Sequence, residues 1–292
     1  MKKVTIFGVG SMGARVAFFL ARSRHVSRIR LVDIDPQRSQ AAVLDFLQSN
    51  IALQSKLALV DYEEPKEIDQ SDVVIVAAGV QRPIDTAVTM PTDHDLAMME
   101  TIAGQIAHFA PQAMIAVLSQ PAELFCRVIA KSGDFDPERV IGFPLLIYRE
   151  WFRDHIGRLV GLSHEDVRIT TVRTLLGEEL VPDQCTVGGV PLREFLTDQS
   201  QLTAQPEAEV MHKRLAIHHY APAAVISDVT GEIVSKRRQV ITTIAMHQEY
   251  DAYIESKCVV GPDGVERHVP LSLTPEQAER HQEYRDRVVS LA

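Results

Sequence analysis

The chain has 292 residues, of which 46% are hydrophobic and 24% are charged, and its formal net charge is −9. This balance predicts a soluble globular protein with a sizeable core. The acidic excess disfavours nucleic acid and anionic membranes as partners, because both require clustered Lys and Arg, so we expect a small-molecule partner. No apolar run approaches the roughly 20 residues of a membrane span. The N-terminal MKKVTIFGVG enters a strand pattern at once, which leaves no signal peptide and favours a cytoplasmic location.

The cysteines give no sign of a metal site. Cys126, Cys185 and Cys258 are odd in number, lie far apart and lack metal-ligand spacing. We therefore expect free buried thiols in a reducing compartment, and no metal.

The first half of the chain alternates short apolar runs with segments of helical spacing. The runs are rich in β-branched residues and apolar on both faces, as in a parallel sheet covered by helices. This β-α-β rhythm predicts a doubly wound α/β domain over residues 1–143. The predicted strands are Val4–Phe7, Ile29–Val32, Ala58–Val60, Val73–Val76 and Ile115–Leu118, and the predicted helices are Ser11–Ala21, Gln37–Leu53, Asp95–Phe109 and Ala122–Lys131.

After residue 143 the pattern changes, and we expect residues 144–292 to form a second, α+β domain. Within this domain we expect turns at CTVGGVPL and at GPDG. A charged terminal helix is predicted to start at Pro275, with Ser272 and Thr274 as cap candidates. The other predicted elements are a helix over Leu146–Ile156, strands over Val167–Val172, Val240–Ile244 and Ser256–Val260, and amphipathic stretches at 206–218 and 222–236.

A glycine-rich turn joins the first strand to the first helix. In IFGVGSMGARVAFFL, Gly8 permits the tight turn, Gly10 leaves room for a pyrophosphate, and Gly13 allows close packing of helix and strand. The N–H groups of Ser11 and Met12 then face the phosphates together with the helix dipole. The pattern predicts a dinucleotide site.

An acidic residue follows the second strand, IRLVDID. Asp33 lies about 20 residues after the last glycine of the turn, where a carboxylate accepts the ribose hydroxyls of the adenosine half. Asp33 and Asp35 would repel a 2′-phosphate, which favours NAD over NADP, while Arg38 is the nearby counter-argument. The predicted cofactor is NAD.

Segments along the whole chain resemble the lactate and malate dehydrogenase family. The resemblance begins at VVIVAAGVQRP (73–83) and continues in IAVLSQPAEL, ERVIGF, CTVGGVPL and APAAVISDVTGEIVSKRRQVITTIA. It implies a Rossmann NAD-binding domain, a substrate domain and a homodimer or homotetramer. It also implies that Ala78 and Gly79 pass close to the cofactor, and that Ser119 and Gln120 lie beside the nicotinamide ribose.

The family's catalytic positions differ in this chain. The family reduces 2-keto acids with a His in an H-G-D/E segment, an Asp that orients it and Arg residues that bind the substrate carboxylate. In TTVRTLLGEELVP (170–182) the H-G-D/E segment falls on Leu176-Gly177-Glu178, or one residue earlier on Leu175, or in a looser register on Glu179, and no register gives a histidine. The family's L-D-x-x-R-F-R segment falls on residues 147–153 of this chain. At those positions the orienting Asp becomes Tyr148 and the carboxylate-binding Arg becomes Trp151.

The Asn of the family's S-N-P segment is Gln120, and the loop after Arg82 carries Asp93, His94 and Asp95 where a substrate-binding Arg is expected. We therefore expect an NAD-dependent oxidoreductase with a rebuilt site and a non-standard carbonyl, imine or hydroxy substrate. His94 on the loop is the first candidate for the proton donor, followed by Tyr148 and Glu179.

The expected pocket also includes Arg82, Trp151 and one histidine of His218-His219, with His219 preferred. Each of these residues has an alternative structural interpretation, such as a solvated loop histidine or a core tryptophan. The alternative function is a non-catalytic NAD-binding protein, in the form of a pseudoenzyme or a partner subunit. A tightly bound NAD used as a redox intermediary is a third, weaker hypothesis.

Overall fold

The computed structural model describes most of the chain. The described residues are 2–52, 59–62, 70–79, 90–144, 147–196, 202 and 219–291. Arg82, residue 58 of the third predicted strand and the predicted amphipathic stretch at 206–218 lie outside them. The side chain of Tyr148 is also outside, although its backbone belongs to a helix.

The described secondary structure alternates strands and helices in the first half of the chain. The helices are α1 (Ser11–Ala21), α2 (Pro36–Ala52), α3 (Asp93–Phe109), α4 (Ala122–Ser132), α5 (Ile147–Val160), α6 (Tyr220–Val234) and α7 (Pro275–Leu291). The strands are β1 (Lys3–Phe7), β2 (Arg28–Val32), β3 (Leu59–Tyr62), β4 (Val73–Val76), β5 (Met114–Val117), β6 (Val140–Gly142), β7 (Val167–Arg168), β8 (Thr171–Thr174), β9 (Gly177–Leu180), β10 (Thr186–Val187), β11 (Val190–Pro191), β12 (Gln239–His247), β13 (Ala252–Gly261) and β14 (Gly264–His268).

Nine of the described strands form one sheet in the order β14-β13-β12-β6-β5-β4-β1-β2-β3. Strands β1 to β6 are parallel and follow the spatial order 3-2-1-4-5-6 of a doubly wound dinucleotide fold. The antiparallel strands β12, β13 and β14 extend this sheet, since Ile244 of β12 pairs with Gly142 of β6. The α/β fold class predicted from the sequence is confirmed.

The chain divides into two compact units. The first comprises Met1–Pro144, Pro222–Val269 and Leu291–Ala292, and the second comprises Leu145–Ala221 and Pro270–Ser290. The nine-stranded sheet belongs to the first unit, so this division groups β12 to β14 with residues 1–144. The division at residue 143 into a cofactor domain and a substrate domain stays a prediction about functional domains.

The central strands β4 and β5 are buried along their whole length, as expected for parallel strands that are apolar on both faces. Val74, Val76, Ile115 and Val117 are buried with residues of α3 and α4, in a cluster that extends to Ile244 and Tyr253. The second unit has its own cluster, built from α5, β7 and β10 with Leu192 and Leu202.

Several predicted boundaries shift for local reasons. Strand Val167–Val172 is divided into β7, which pairs with β10, and β8, which pairs with β9. The segment CTVGGVPL forms the hairpin β10–β11 around Gly188 and Gly189, whose φ values of 58° and 84° fit a two-residue turn. Helix α7 begins after Thr274, whose hydroxyl accepts from Gln277 N, so Thr274 rather than Ser272 is the cap.

Candidate functional site

Three glycines, Gly8 and Gly10 between β1 and α1 and Gly13 in the first turn of α1, have different steric surroundings. Gly8 has a φ of 91°, and a Cβ there would lie 2.5 Å from Ala78 N. A Cβ on Gly13 would lie 1.9 Å from Gly8 O, so this glycine is required for the contact between helix and turn. A Cβ on Gly10 would meet no atom within 4 Å. Gly10 therefore borders open space, which is what a pyrophosphate against the backbone needs.

The N-terminus of α1 is suited to an anion. Gly10 is the N-cap and supplies no side-chain hydrogen bond, and the first turn contains no acidic residue. The side chain of Ser11 is exposed and that of Met12 is half-buried. Backbone N–H groups at such an unneutralised helix start, together with the helix dipole, stabilise phosphate charge.

Asp33 lies directly after β2, and backbone hydrogen bonds fix its carboxylate. Val9 N donates to Oδ2 at 2.7 Å and Asp35 N donates to Oδ1 at 3.0 Å. The carboxylate is thus tied to the middle of the glycine turn, and each oxygen retains a further lone pair for a ribose hydroxyl. Asp35 instead accepts from Gln37 N at the start of α2.

The ends of β4 and β5 meet the same edge of the sheet. Ser119 Oγ donates to Ala78 O and, at 3.3 Å, to Val76 O, so the segments after β4 and β5 are joined. Gln120 Nε2 donates to Phe143 O at 3.3 Å. Gly79 is exposed, and a Cβ on it would meet no atom within 4 Å. The structure therefore places all the residues predicted to contact the cofactor in the first unit, with Gly8 against Ala78.

His94 lies in the first turn of α3, where its side chain is exposed, and not on a loop as expected. The helix starts two residues earlier than predicted because Thr92 and Asp95 form a capping box. Thr92 N and Thr92 Oγ1 both donate to Asp95 Oδ2 at 2.8 Å, while Asp95 N donates to Thr92 Oγ1 at 3.3 Å. Asp95 is buried by this role, so it does not present an acidic group to a substrate.

The hairpin β8–β9 presents leucines at its turn. Leu175 and Leu176 connect the strands, and 86% of Leu176 is exposed. Arg173 of β8 pairs with Glu178 of β9, and Glu178 is only 2% exposed. The residues that the three possible registers place on the family's histidine are thus two leucines of the turn, Leu175 and Leu176, and Glu179 of β9.

Glu178 is a buried acid that the sequence analysis did not select. Burial raises the pKa of its carboxyl, while Arg173, a hydrogen bond from Thr171 and Arg149 oppose the rise. The choice of Glu179 instead of Glu178 followed a loose register. Strand alternation was the signal that could have separated them, because adjacent residues of a strand face opposite sides.

Glu179 has structural partners on α7. Arg280 Nε donates to Oε2 at 2.9 Å, Arg280 Nη2 donates to Oε1 at 2.6 Å, and Gln277 Nε2 donates to Oε1 at 3.2 Å. Both carboxylate oxygens are engaged in a bidentate ion pair, so neither is left as an acid for a substrate.

The described contacts of Trp151 are packing contacts. The indole is half-buried, packs against the core cluster of the second unit, and stacks on His155 with centroids 4.7 Å apart and an angle of 11°. His219 is half-buried immediately before α6. The proposed roles of Arg82 and of the Tyr148 side chain fall outside the described residues.

Among residues 2–291, outside the undescribed gaps, no group of three or more His, Cys, Asp and Glu side chains could hold a metal ion. None of the described helices is long and apolar enough to cross a membrane.

Comparison with known proteins agrees with this geometry. Residues 2–142 match the family model of the lactate/malate dehydrogenase NAD binding domain. A malate dehydrogenase of Caldivirga maquilingensis is 28% identical over 288 residues, which cover 95% of this chain and 93% of the relative. An L-lactate dehydrogenase of Pseudothermotoga lettingae is 26% identical and covers 95% and 91%.

Solved structures show the same fold. The malate dehydrogenase of Salinibacter ruber superposes with a TM-score of 0.85 at 22% identity, covering 99% of this chain and 96% of that one. A lactate dehydrogenase of Cryptosporidium parvum, complexed with lactic acid and the dinucleotide, gives the same TM-score, identity and coverage.

The open space at Gly10, the uncapped start of α1 and the fixed Asp33 carboxylate fit a dinucleotide. They lie within the segment matched by the family model, and the sheet order is that of the fold. Residues 2–142 match the NAD binding domain of the lactate/malate dehydrogenase family, and the similarity to malate and lactate dehydrogenases extends over about 95% of the chain.

Proposed function

We propose that the protein is an NAD-dependent oxidoreductase whose substrate side has been rebuilt. The observation that carries the proposal is a contrast between two positions. The glycine turn and Asp33 keep the geometry of a cofactor site, whereas no register of residues 170–182 provides a histidine for the family's proton donor, and one register places the exposed Leu176 there.

On the cofactor side, each residue has a separate task. Gly10 and the N–H groups of Ser11 and Met12 would hold the pyrophosphate, and Asp33 would accept the ribose hydroxyls. The bound nicotinamide would supply or accept the hydride. Ser119 and Gln120 would line the nicotinamide half, since Ser119 is already anchored to the backbone carbonyls after β4.

On the substrate side, the changes favour an uncharged or cationic substrate. A 2-keto acid needs a fixed guanidinium for its carboxylate. The position expected for that Arg is Trp151, and the charges of Arg149 and Arg173 act on the buried Glu178. We therefore propose a carbonyl, imine or hydroxy compound without the usual carboxylate as the substrate class.

The proton donor remains a choice among the predicted candidates. Glu179 is the weakest, because Arg280 and Gln277 occupy its carboxylate. His94 is exposed at the start of α3 and Tyr148 belongs to the first turn of α5, so we retain these two.

The test is NADH oxidation with a panel of uncharged and cationic aldehydes, ketones and imines, beside pyruvate and oxaloacetate. Turnover of an uncharged or cationic compound at least about tenfold faster than of either 2-keto acid is expected. Faster turnover of a 2-keto acid would contradict the rebuilt site. Variants His94→Gln and Tyr148→Phe then assign the donor, and unchanged turnover in both would eliminate both residues.

A non-catalytic NAD-binding protein is the second candidate. It is favoured by the structural tasks found for Asp95 in its capping box and for Glu179 in its ion pair, since neither task requires chemistry. Protein that binds NADH tightly, yet transfers no deuterium from deuterated NADH to any compound of the panel, would support this alternative.

An exposed apolar face of α2, in the first unit, supports the predicted homo-oligomer. Leu44, Leu47 and Ile51 are exposed on α2 and recur at intervals of three and four residues, so they share one helix face. An apolar helix face in water favours association. If this face joins two copies, Leu47→Glu should convert a dimer into a monomer in sedimentation experiments, whereas Gln48→Glu on the same helix should not.

A further inference from the structure

A compact polar cluster lies far along the sheet from the cofactor edge, on the antiparallel strands of the first unit. We call it the β12–β14 cluster, and it consists of His247, Ser256, Cys258 and His268. Ser256 and Cys258 are two residues apart in β13, so their side chains lie on the same face of the strand. His268 of β14 pairs with Cys258. His247 ends β12.

The hydrogen bonds of His268 determine where its proton lies. His268 Nε2 is 3.1 Å from Met246 O, and a carbonyl oxygen can only accept, so Nε2 carries the proton. In the neutral ring, Nδ1 then has a free lone pair. Ser256 Oγ lies 3.0 Å from this Nδ1 and therefore donates its hydroxyl proton to it.

The arrangement matches the geometry of an activated nucleophile. A hydroxyl lies within hydrogen-bond distance of a base, and a third group orients the base. Here the third group is the backbone carbonyl of Met246, which holds the tautomer whose Nδ1 accepts a proton. The ring of His247 lies against that of His268, with centroids 3.9 Å apart, and restricts its rotation.

Two further groups reach the same hydroxyl oxygen. His247 Nε2 is 3.1 Å and Cys258 Sγ is 3.3 Å from Ser256 Oγ. Burial raises the pKa of the Cys258 thiol to about 11, so it remains protonated at neutral pH, and its Sγ also lies 3.5 Å from His268 Nδ1. His247 and Cys258 therefore hold the Ser256 hydroxyl in position beside His268 Nδ1.

We propose that Ser256 is a reactive serine that accepts an acyl group from activated esters or thioesters, with His268 as its base. Ser256 Oγ attacks the ester carbonyl, the new Oγ–C bond forms, and the bond from that carbon to the leaving oxygen or sulfur breaks. The hydroxyl proton passes to His268 Nδ1 and then to the leaving group. Water releases the acid in the same manner and restores the serine.

Access to the cluster is provided by its position. His268 is exposed and Ser256 is half-buried, so an acyl donor can approach from solvent. The cluster shares no residue with the glycine turn, Asp33 or the β8–β9 hairpin. The proposed reaction is therefore independent of the oxidoreductase function.

The test uses p-nitrophenyl acetate and the full-length chain. Wild type should release p-nitrophenol above the rate in buffer and acquire one acetyl group on the β13 peptide that contains Ser256, as read by mass spectrometry. Ser256→Ala and His268→Gln should each lower the rate at least about tenfold. Ser290→Ala, an exposed serine of α7, is the matched control and should keep the wild-type rate.

Two results would overturn the proposal. One is an unchanged rate in folded Ser256→Ala, and the other is acetylation of lysines alone. Should Ser256→Ala fail to fold, labelling of wild type with a fluorophosphonate replaces it, because this reagent forms a stable bond with activated serines. The label must map to Ser256, and a label elsewhere or none would contradict an activated hydroxyl.

Discussion

The cofactor edge and the β8–β9 hairpin differ in what fixes their polar groups. At the cofactor edge, Asp33 is held by two backbone N–H groups, and each carboxylate oxygen can still accept a further hydrogen bond. In the hairpin, Glu178 is buried near two arginines and Glu179 is paired with Arg280, so the charged groups are occupied within the protein. A binding site needs polar groups that are fixed but still available, and of these two regions only the cofactor edge meets both conditions.

The glycine turn gives the largest expected effect and a direct way to break the comparison. Gly13→Ala should unfold the turn, because its Cβ would lie 1.9 Å from Gly8 O, and should abolish NADH binding and lower the thermal midpoint. Gly10→Ala should fold normally, since its Cβ meets no atom, but should weaken NADH binding at least about tenfold by filling the pyrophosphate space.

Calorimetric titration and thermal unfolding of both variants check this pair. Wild-type NADH affinity in folded Gly10→Ala would show that the open space at this glycine does not hold the cofactor.

Asp33→Ala should have the next largest effect. A hydrogen bond to a charged group contributes about 1.5–3 kcal/mol, which corresponds to roughly 10- to 150-fold in affinity. NADH binding should weaken by this factor, and discrimination against NADPH should relax because the repulsion of a 2′-phosphate is removed. Asp45→Ala on the exposed side of α2 is the control, and equal affinities in Asp33→Ala and wild type would remove Asp33 from the site.

The buried carboxyl of Glu178 should make stability depend on pH. Burial raises its folded pKa above the ordinary value of 4.5. The folded protein then holds the proton more tightly than the unfolded chain, so the stabilisation present below pH 4.5 is lost as pH rises through the folded pKa. Wild type should therefore lose stability relative to Glu178→Gln as pH increases.

Urea unfolding of both proteins at a series of pH values measures this difference. If wild type instead gains stability relative to Glu178→Gln as pH rises, the arginines lower the folded pKa of Glu178 by more than burial raises it.

The sequence predicted the sheet, the glycine turn and Asp33 because each leaves a local pattern. Alternating apolar runs, three spaced glycines and an acid after a strand depend on neighbours in sequence. The position of β12 to β14 on the first sheet depends instead on one pair between Ile244 and Gly142, which are far apart in the chain. No local pattern contains that information.

The site candidates of the hairpin were harder to predict for the same reason. Glu178 and Glu179 are adjacent and chemically alike, and only their partners on β8 and α7 distinguish them.

His94 was expected on a loop because Thr92 and Asp95 were not identified as a capping box, although the spacing of these two residues was visible.

Glu179→Gln gives the smallest expected effect. The ion pair with Arg280 is partly exposed, so its loss should lower the free energy of unfolding by about 1 kcal/mol or less. NADH affinity and any turnover should stay at wild-type values. A tenfold loss of turnover with unchanged stability would restore Glu179 as the acid.

The central proposal is that this chain retains the cofactor site of lactate and malate dehydrogenases and has a different substrate side. Parallel calorimetric titration of the wild-type protein with NADH and NADPH tests it most directly. We predict tight binding of NADH and at least tenfold weaker binding of NADPH, because Asp33 accepts the ribose hydroxyls and repels a 2′-phosphate. Binding of neither cofactor, or a preference for NADPH, would contradict the claim.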